Sequence, residues 1–253
     1  MTSQIRNEAL NTLLETDFIR RNEPGNLLGN VISTYLALPG LRGFWPMSSV
    51  DENGDVYDVT GQGRMLVNTN TVTFNSTDFV PFAEFNGSTN YLTRADETGL
   101  DITGDLTIGC WVRFDNALGA VDAIMGKWLS TGNQRGYLLA RDASGTVTFF
   151  LSNAGNDTSF VNSASSTAQG TWYFAAGRLD AGTETSVFLN NEKTDLGSGI
   201  ASIFNNTIDF RIGLFNSTLL PGDVALAFLC ANALPDNVIL NLYQQSRILF
   251  EEQ

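Results

Sequence analysis

The chain has 253 residues, of which 43% are hydrophobic, and a formal net charge of −13. This charge disfavours binding to nucleic acid or to an anionic membrane surface, because both would repel it. The sequence contains no histidine, which excludes a histidine general base, a Ser-His-Asp triad and a histidine-ligated zinc. No stretch has the ~18 consecutive apolar residues of a membrane span, so membrane insertion is not expected.

Residues 1–36 predict a helical arm that differs from the rest of the chain. Apolar residues recur near helical spacing in its first half, with polar residues between them. Pro24 and Gly25 predict the end of that helix, and the apolar stretch 27–36 predicts a shorter second one. An isolated helix of this length is marginal in water, so its apolar side must pack on the rest of the chain, on another copy, or on a larger assembly. The candidate anchoring or oligomerisation residues are Ile5, Leu10, Leu13, Leu14 and Phe18.

From residue 37 onward the pattern predicts an all-β domain. Short runs rich in Val, Ile, Thr and aromatic residues alternate with Gly, Asn, Asp and Ser clusters, which is typical of a two-sheet sandwich. A last helix is predicted after Ala233, with Pro235 in its first turn, running to Phe250. Strands are predicted near residues 42–45, 72–75, 83–85, 91–93, 106–114, 123–128, 136–141, 146–151, 159–162, 171–179, 185–189, 209–214 and 224–230.

The two cysteines, Cys110 and Cys230, fall in two of these predicted strands. Two cysteines do not make a disulfide framework. They are expected to be small buried apolar side chains, and a bridge between neighbouring strands is the alternative.

A series of landmarks over residues 40–248 resembles the laminin-G-like modules of the concanavalin-A-like lectin and glucanase superfamily. The landmarks include Gly-Phe-Trp-Pro at 43–46, Phe-Asn-Gly-Ser-Thr-Asn-Tyr-Leu at 85–92 and Leu-Thr-Ile-Gly-Cys-Trp-Val at 106–112. A closing strand at 223–230 followed by a Leu-Pro-Asp helix start completes the series. The resemblance implies an antiparallel jelly-roll sandwich over residues 37–253, preceded by the arm of residues 1–36 and ending in a short helix.

Similar modules occur in structural proteins of tailed bacteriophages, often behind a short N-terminal anchoring arm. The N-terminus shows no apolar run behind a basic start, which predicts no export signal. Together these features suggest a non-enzymatic virion structural protein, capsid-decorating or tail-associated, made in the host cytoplasm. Its expected partners are other virion proteins and further copies of itself, for instance in a trimer. The alternative is a Ca²⁺-dependent carbohydrate-binding or adhesion module.

A hydrolase of the same superfamily is the third hypothesis, and the sequence argues against it. The glucanase branch needs Glu-x-Asp-x-x-Glu on one strand, so that the carboxylates share one face. The only Glu-x-Asp is Glu15-Thr16-Asp17, which falls in the helical arm and has Arg20 in place of the second glutamate. No phosphate-binding Gly-rich loop and no Gly-x-Ser-x-Gly nucleophile motif occurs. We therefore expect no enzymatic activity.

Two loops carry candidate binding residues. Asp51, Asn53, Asp55 and Asp58 offer the closely spaced oxygen ligands that Ca²⁺ prefers. The alternative interpretation is a hairpin turn in which Asn-Gly supplies positive φ. Asp101 and Asp105, around Gly104, are a weaker calcium candidate.

An aromatic platform beside amide and charged groups is typical of a glycan site. The candidate glycan residues are Trp128, Asn133, Arg135 and Tyr137. The competing interpretation is that these aromatic residues pack within the sheet.

Overall fold

A computed structural model describes residues 24–250 of the chain. These residues form two large antiparallel β-sheets and two α-helices. The helices are α1 (Pro24–Leu36) and α2 (Asp236–Ser246), and a 3-10 turn at Arg247–Leu249 follows α2. The strands are β1 (Leu41–Trp45), β2 (Val67–Thr69), β3 (Thr73–Ser76), β4 (Pro81–Asn86), β5 (Tyr91–Arg94), β6 (Leu106–Phe114), β7 (Asp122–Leu129), β8 (Gln134–Arg141), β9 (Thr146–Leu151), β10 (Ser159–Ser166), β11 (Trp172–Asp180), β12 (Glu184–Leu189), β13 (Glu192–Asp195), β14 (Phe210–Ile212), β15 (Leu214–Phe215), β16 (Thr218–Leu219) and β17 (Pro221–Cys230).

The strands pair in the order expected of a jelly roll, with non-consecutive neighbours in both sheets. The 8-stranded sheet runs β13-β12-β11-β6-β17-β4-β3, and β1 pairs with the second half of β17. The 7-stranded sheet runs β10-β9-β8-β7-β14-β5-β2, and β15 and β16 form a separate hairpin. The predicted mainly-β sandwich with helices at both ends of its sequence is confirmed.

The main core lies between the two sheets. The strand at its centre, β6, follows the β-sheet rule that successive side chains point to opposite faces. Ile108, Cys110 and Val112 therefore enter the core between the sheets, whereas Trp111 points out of the sandwich. Cys110 and Cys230 are both buried and free, and they contact different cores on opposite faces of the 8-stranded sheet. This placement explains why the two thiols form no bridge, although their strands are neighbours.

A second core lies on the outer face of the 8-stranded sheet, beneath both helices. Tyr35 of α1 is fully buried, stacks on Phe44 at 4.7 Å between ring centroids, and meets Phe228 edge-on at 5.4 Å. The helix therefore packs on the chain's own sheet. Residues 24–36 of the predicted arm belong to this packed unit, while Ile5, Leu10, Leu13, Leu14 and Phe18 lie outside the described residues.

The C-terminal helix closes the other half of this second core. It begins at Asp236 with Pro235 as its N-cap residue, close to the predicted start. Trp111 fills the space under the helix: it stacks on Phe250 at 4.1 Å, and its Nε1 donates a hydrogen bond to Ser246 Oγ at 2.8 Å. A buried indole N–H that lacks a partner is costly, so Ser246 makes this placement of the tryptophan possible.

Four charged side chains fasten the start of α2 to the edge of the 8-stranded sheet. Arg178 of β11 forms ion pairs with Glu184 of β12 and with Asp236 of α2. Lys193 of β13 bridges the same two acids, at 2.8 Å to Glu184 and 3.1 Å to Asp236. Three strands and the helix thereby meet in one charged cluster.

Because of this cluster, we expect the free energy of unfolding to fall in acid. Desolvation alone would raise the pKa of Glu184, but hydrogen bonds from Lys193 and Ser186 and the charges of Arg178 and Lys193 outweigh it and lower the pKa to about 2. Because the folded-state pKa lies below the ordinary value of 4.5, the stabilisation is complete above that value and disappears as the pH falls toward 2. Screening by solvent leaves about 1–2 kcal/mol for this effect.

Urea unfolding at a series of pH values from 6 down to the acid limit of the fold measures this effect. The Glu184→Gln variant should be less stable than the parent at pH 6 and should lose less stability on acidification. Parallel curves for the two proteins would contradict the assignment of the acid response to Glu184.

Candidate functional site

A small cluster of apolar side chains lies on the outer face of the 7-stranded sheet, which neither helix covers. Side chains alternate across this sheet, so Trp128, Leu138 and Ala140 face outward, whereas their neighbours Lys127, Tyr137 and Leu139 face the other sheet. Phe150 and Phe215 pack against this cluster. We call Trp128, Leu138, Phe150 and Phe215, together with Arg135, the outer aromatic patch.

The outer aromatic patch surrounds a shallow depression of about 160 Å³. Trp128 and Phe150 meet at 6.0 Å between ring centroids with their planes inclined by 53°. Phe150 also contacts Phe160 on β10 at 5.8 Å, and Phe160 is 50% exposed. Aromatic rings thus continue from the depression toward the edge of the sheet.

Hydrogen bonds between two hairpins hold Phe215 in place. Asn216, in the β15–β16 turn, accepts a hydrogen bond from the Ser130 backbone N–H at 2.8 Å and donates to Ser130 Oγ at 3.1 Å. Its φ of 50° lies in the left-handed region, which asparagine tolerates better than most residues. The hydrogen bonds of Asn216 to Ser130 therefore hold the β15–β16 hairpin where the Phe215 side chain contacts Trp128.

Arg135 forms the polar border of the depression. It lies opposite Trp128 in the β7–β8 pair, with its guanidinium carbon 5.9 Å from the centre of the indole ring. Its Nη1 donates to the Asn156 carbonyl at 2.7 Å, which fixes the side chain against the loop after β9. An arginine held in this way offers directed hydrogen-bond donors beside an apolar surface.

The structure separates the four predicted glycan residues. Trp128 and Arg135 line the depression, whereas Asn133 is exposed in the β7–β8 turn with φ of 56°. Tyr137 does not belong to the site: it is 2% exposed, lies in the core between the sheets, and donates a hydrogen bond to the Leu100 carbonyl at 3.0 Å. Its strand position gives the reason, since Tyr137 and Leu138 must point to opposite faces.

Sequence reasoning missed Phe150 and Phe215. Two adjacent aromatic residues, Phe149 and Phe150, stand in the predicted strand 146–151. In a strand, one of such a pair must point away from the core, so the signal for an outward-facing Phe150 was present. Phe215 has no comparable signal, because its place depends on the contact between two hairpins.

Of the four predicted calcium ligands, the three aspartates accept hydrogen bonds from backbone N–H groups of the chain itself. Asp51 Oδ1 accepts hydrogen bonds from the backbone N–H of Asn53 at 2.8 Å and of Asp55 at 2.9 Å. Asp55 Oδ1 accepts from the backbone of Asn68 at 2.7 Å. Asp58, which is 9% exposed, accepts from the backbone N–H of Phe44 and of Thr60. These bonds support the turn interpretation of the loop.

Asp101 and Asp105, the weaker calcium candidate, border a second depression of about 300 Å³ beside the β5–β6 connection. Asp101 Oδ1 contacts Lys127 Nζ, and Asp105 Oδ1 accepts from the Ala181 backbone N–H at 3.0 Å. Within residues 24–250, no group of three or more His, Cys, Asp or Glu side chains is placed to hold a metal ion. Calcium binding therefore stays a prediction.

Neither of the helices in the described range is both long enough and apolar enough to cross a bilayer.

Comparison with protein families gives a match over more than half of the chain. The family described as the concanavalin A-like lectin/glucanases superfamily matches residues 86–224. The matched segment begins at the end of β4 and ends within β17, and it includes the outer aromatic patch. No curated protein sequence matches the chain.

Solved structures with the same fold include binding domains of bacterial toxins. The binding domain of Paraclostridial Mosquitocidal Protein 1 superposes with a TM-score of 0.65 at 11% identity, over 81% of this chain and 52% of that one. A botulinum neurotoxin type C structure gives a TM-score of 0.65 at 10% identity, over 84% and 52%. The binding domain of botulinum neurotoxin DC, in complex with rat synaptotagmin II, gives 0.63 at 12% identity, over 81% and 51%. The chain thus spans about half the length of these structures and shares their fold.

Proposed function

The chain belongs to the concanavalin A-like lectin/glucanase superfamily, and on that premise we propose that it is a non-enzymatic, lectin-like binding domain. Its ligand is a glycan, and one sugar ring occupies the depression of the outer aromatic patch. The observation that carries this proposal is the meeting of the half-buried Phe150 and Phe215 with Trp128, which is 6% exposed, around one open volume bordered by Arg135. Such a site combines an apolar platform with a few directed polar groups, as ligand sites generally do.

The chemistry available to the chain favours binding over catalysis. It has no histidine, and its only Glu-x-Asp precedes the sandwich. Botulinum neurotoxin type C, which shares the fold, depends on interaction with two ganglioside molecules for cell entry. That dependence supports a glycan as the ligand class here, while the low identity leaves the sugar itself to be found by experiment.

Loss of either Trp128 or Arg135 should weaken glycan binding. A glycan array of neutral and acidic sugars would first identify a ligand, and titration calorimetry would then compare the variants. Trp128→Ala removes the base of the depression and, measured on protein shown to be folded by urea denaturation, should reduce affinity by at least about tenfold, a loss of about 1.4 kcal/mol. Arg135→Ala should cost a similar amount, because a hydrogen bond to a charged group contributes about 1.5–3 kcal/mol.

A matched control is Arg42→Ala, since Arg42 is an exposed arginine beside the other depression. It should leave affinity unchanged. Trp128→Phe keeps an aromatic ring and should fall between the parent and Trp128→Ala. Absence of binding to every sugar on the array, with the folded parent protein, would refute the proposed function.

Calcium dependence can be tested in the same titrations. Binding measured with added Ca²⁺ and with a chelator should differ if the loop of Asp51, Asn53, Asp55 and Asp58 holds the ion. An identical affinity in the two buffers would remove the calcium-dependent form of the proposal and keep the lectin itself.

We also propose a finer role, in which the sandwich is displayed on a virion as a capsid-decorating or tail-associated protein made in the host cytoplasm. One observation favours display: α1 lies on the outer face of the 8-stranded sheet, and the outer aromatic patch lies on the opposite side of the sandwich. The described chain therefore begins, at α1, on the side away from the patch. Anchoring or oligomerisation through Ile5, Leu10, Leu13, Leu14 and Phe18 would leave the patch accessible.

Immunogold labelling of purified phage particles, with mass spectrometry of the same preparation, tests the virion role. Regular labelling of heads or tails supports it. A protein found only free or on cells would refute the virion role and leave the glycan proposal standing.

A further inference from the structure

Lys127 is the most deeply buried lysine of the described chain, with 2% of its side chain exposed. It points from β7 into the core between the sheets, beside Leu100, Tyr137 and Phe204. Its Nζ lies 2.5 Å from Asp96 Oδ1 and 2.5 Å from Asp101 Oδ1. The Asn206 carbonyl oxygen lies 3.4 Å from the same Nζ. One amine and two carboxyl groups therefore meet at a site that Lys127 enters from the protein interior.

The two carboxyl groups differ in their surroundings. Asp101 stands between the buried residues Leu100 and Ile102 and is 16% exposed, whereas Asp96 is 32% exposed. Asp101 also borders the depression of about 300 Å³, which opens to solvent. The more buried carboxyl group thus has a route by which a small molecule can leave.

We propose that Lys127 and Asp101 form a spontaneous intramolecular isopeptide bond between Nζ and Cγ, with Asp96 as the group that transfers the protons. Asp96 takes a proton from the ammonium of Lys127, and the resulting amine attacks Cγ of Asp101. Two of the three ammonium protons leave with one carboxylate oxygen of Asp101 as water, and the third stays on the amide nitrogen. Asp96 ends the reaction ionised, as it began, so atoms and charges balance without any further reactant.

Two physical effects favour this step. Contact between the reacting groups in a fixed geometry replaces an encounter in solution, and well-oriented intramolecular reactions have effective concentrations of about 10⁵–10⁸ M. Condensation also removes one buried ammonium–carboxylate pair and leaves a neutral amide, which is far less costly to bury than separate charges.

The bond would join β7 of the 7-stranded sheet to the connection between β5 and β6. That connection carries the chain from one sheet to the other. A covalent cross-link at this point keeps the two sheets together under heat or force, independently of any ligand on the outer aromatic patch.

Intact-mass spectrometry of the folded full chain tests the proposal. After allowance for N-terminal processing, the parent should be lighter than its sequence mass by one water molecule. Trypsin should then fail to cut after Lys127 and should yield residues 95–113 joined to residues 114–135, with fragment ions placing the link on Asp101. Lys127→Arg, Asp101→Ala and Asp96→Asn should each retain the full sequence mass.

The intact mass of the parent protein tests the isopeptide bond even if a variant does not fold. A parent that keeps its full sequence mass after prolonged incubation in the folded state would overturn the proposal. Loss of water confined to a single tryptic peptide would also overturn it, because a succinimide at one aspartate has the same mass. A link mapped to Asp96 would overturn the assignment of roles to the two carboxyl groups.

Discussion

A chain that begins at residue 37 should be far less stable than a chain that begins at residue 24. The longer form keeps α1, whose Val31 and Tyr35 are 2% and 0% exposed in the second core. Removing a buried aromatic side chain alone costs about 3–5 kcal/mol, and the truncation also uncovers Phe44 and Phe228. Because domains are stable by only about 5–15 kcal/mol, we expect the shorter form to be largely unfolded or aggregated.

Urea denaturation followed by tryptophan fluorescence measures the difference between the two truncated forms. Tyr35→Ala in the full chain should reproduce a large part of it, and Tyr35→Phe, which keeps the stacked ring, should cost much less. Equal denaturation midpoints for the forms beginning at residues 24 and 37 would show that α1 contributes nothing to the fold. The same experiment shows how far the N-terminus can be shortened before the sandwich loses its stability.

Asp122→Ala should destabilise the sandwich by about 3–5 kcal/mol, the usual cost of leaving one member of a buried ion pair without its partner. Arg141 is 0% exposed, and its Nε donates to Asp122 Oδ2 at 2.7 Å. The Arg141 guanidinium also lies 4.2 Å from the ring centre of Phe114. Without the carboxylate, a positive charge would remain in the protein interior with only Asn116 and an aromatic face for compensation.

The matched control is the double variant Asp122→Leu with Arg141→Met, which replaces the pair by apolar side chains of similar size. It should recover most of the stability lost in Asp122→Ala, since buried pairs are often replaceable in this way. Urea midpoints with an unchanged denaturant slope would report stability directly. If Asp122→Ala were as stable as the parent, the Arg141 side chain would have to reach solvent once Asp122 is absent.

The strands that sequence alone predicts best are those whose residues strongly favour β-structure. For Leu106–Phe114 and Thr146–Leu151 the predicted and observed bounds coincide, because both runs are rich in β-branched and aromatic residues between turn signals. The short strands β2, β13 and β16 were missed, and the single predicted strand 209–214 is divided between β14 and β15. These strands have only two to four residues, too few to show the alternation that predicts a strand.

The candidate site was predicted in part for a related reason. Trp128 and Arg135 were identified from their chemistry, and both border the depression. Tyr137 was grouped with them because it is close in sequence, but a register irregularity between Lys127 and Trp128 in the β7–β8 pair decides which side chains share a face. A shift of one residue reverses every side chain in a strand, and no composition or spacing reveals such an irregularity.

The sequence alone also did not predict what α1 packs against. Its apolar side indicates that the helix must cover something, and the sequence left open whether this was its own domain or another molecule. The structure resolves the choice for residues 24–36 through the stack of Tyr35 on Phe44. Phe44 itself is placed by the pairing of β1 with β17, a contact between two distant parts of the chain.

The position of β17 within the 8-stranded sheet has a consequence for protein synthesis. This strand lies between β6 on one side and β4 and β1 on the other, so the sheet has a gap at its centre until residues 221–230 are available. Folding that waits for contacts between distant residues is slow and exposes unpaired strand edges. During translation, β1, β4 and β6 must therefore each lack one partner strand until β17 leaves the ribosome. At that stage of translation the chain should bind chaperones most strongly, and synonymous changes that slow translation just before codon 221 should lower the soluble yield.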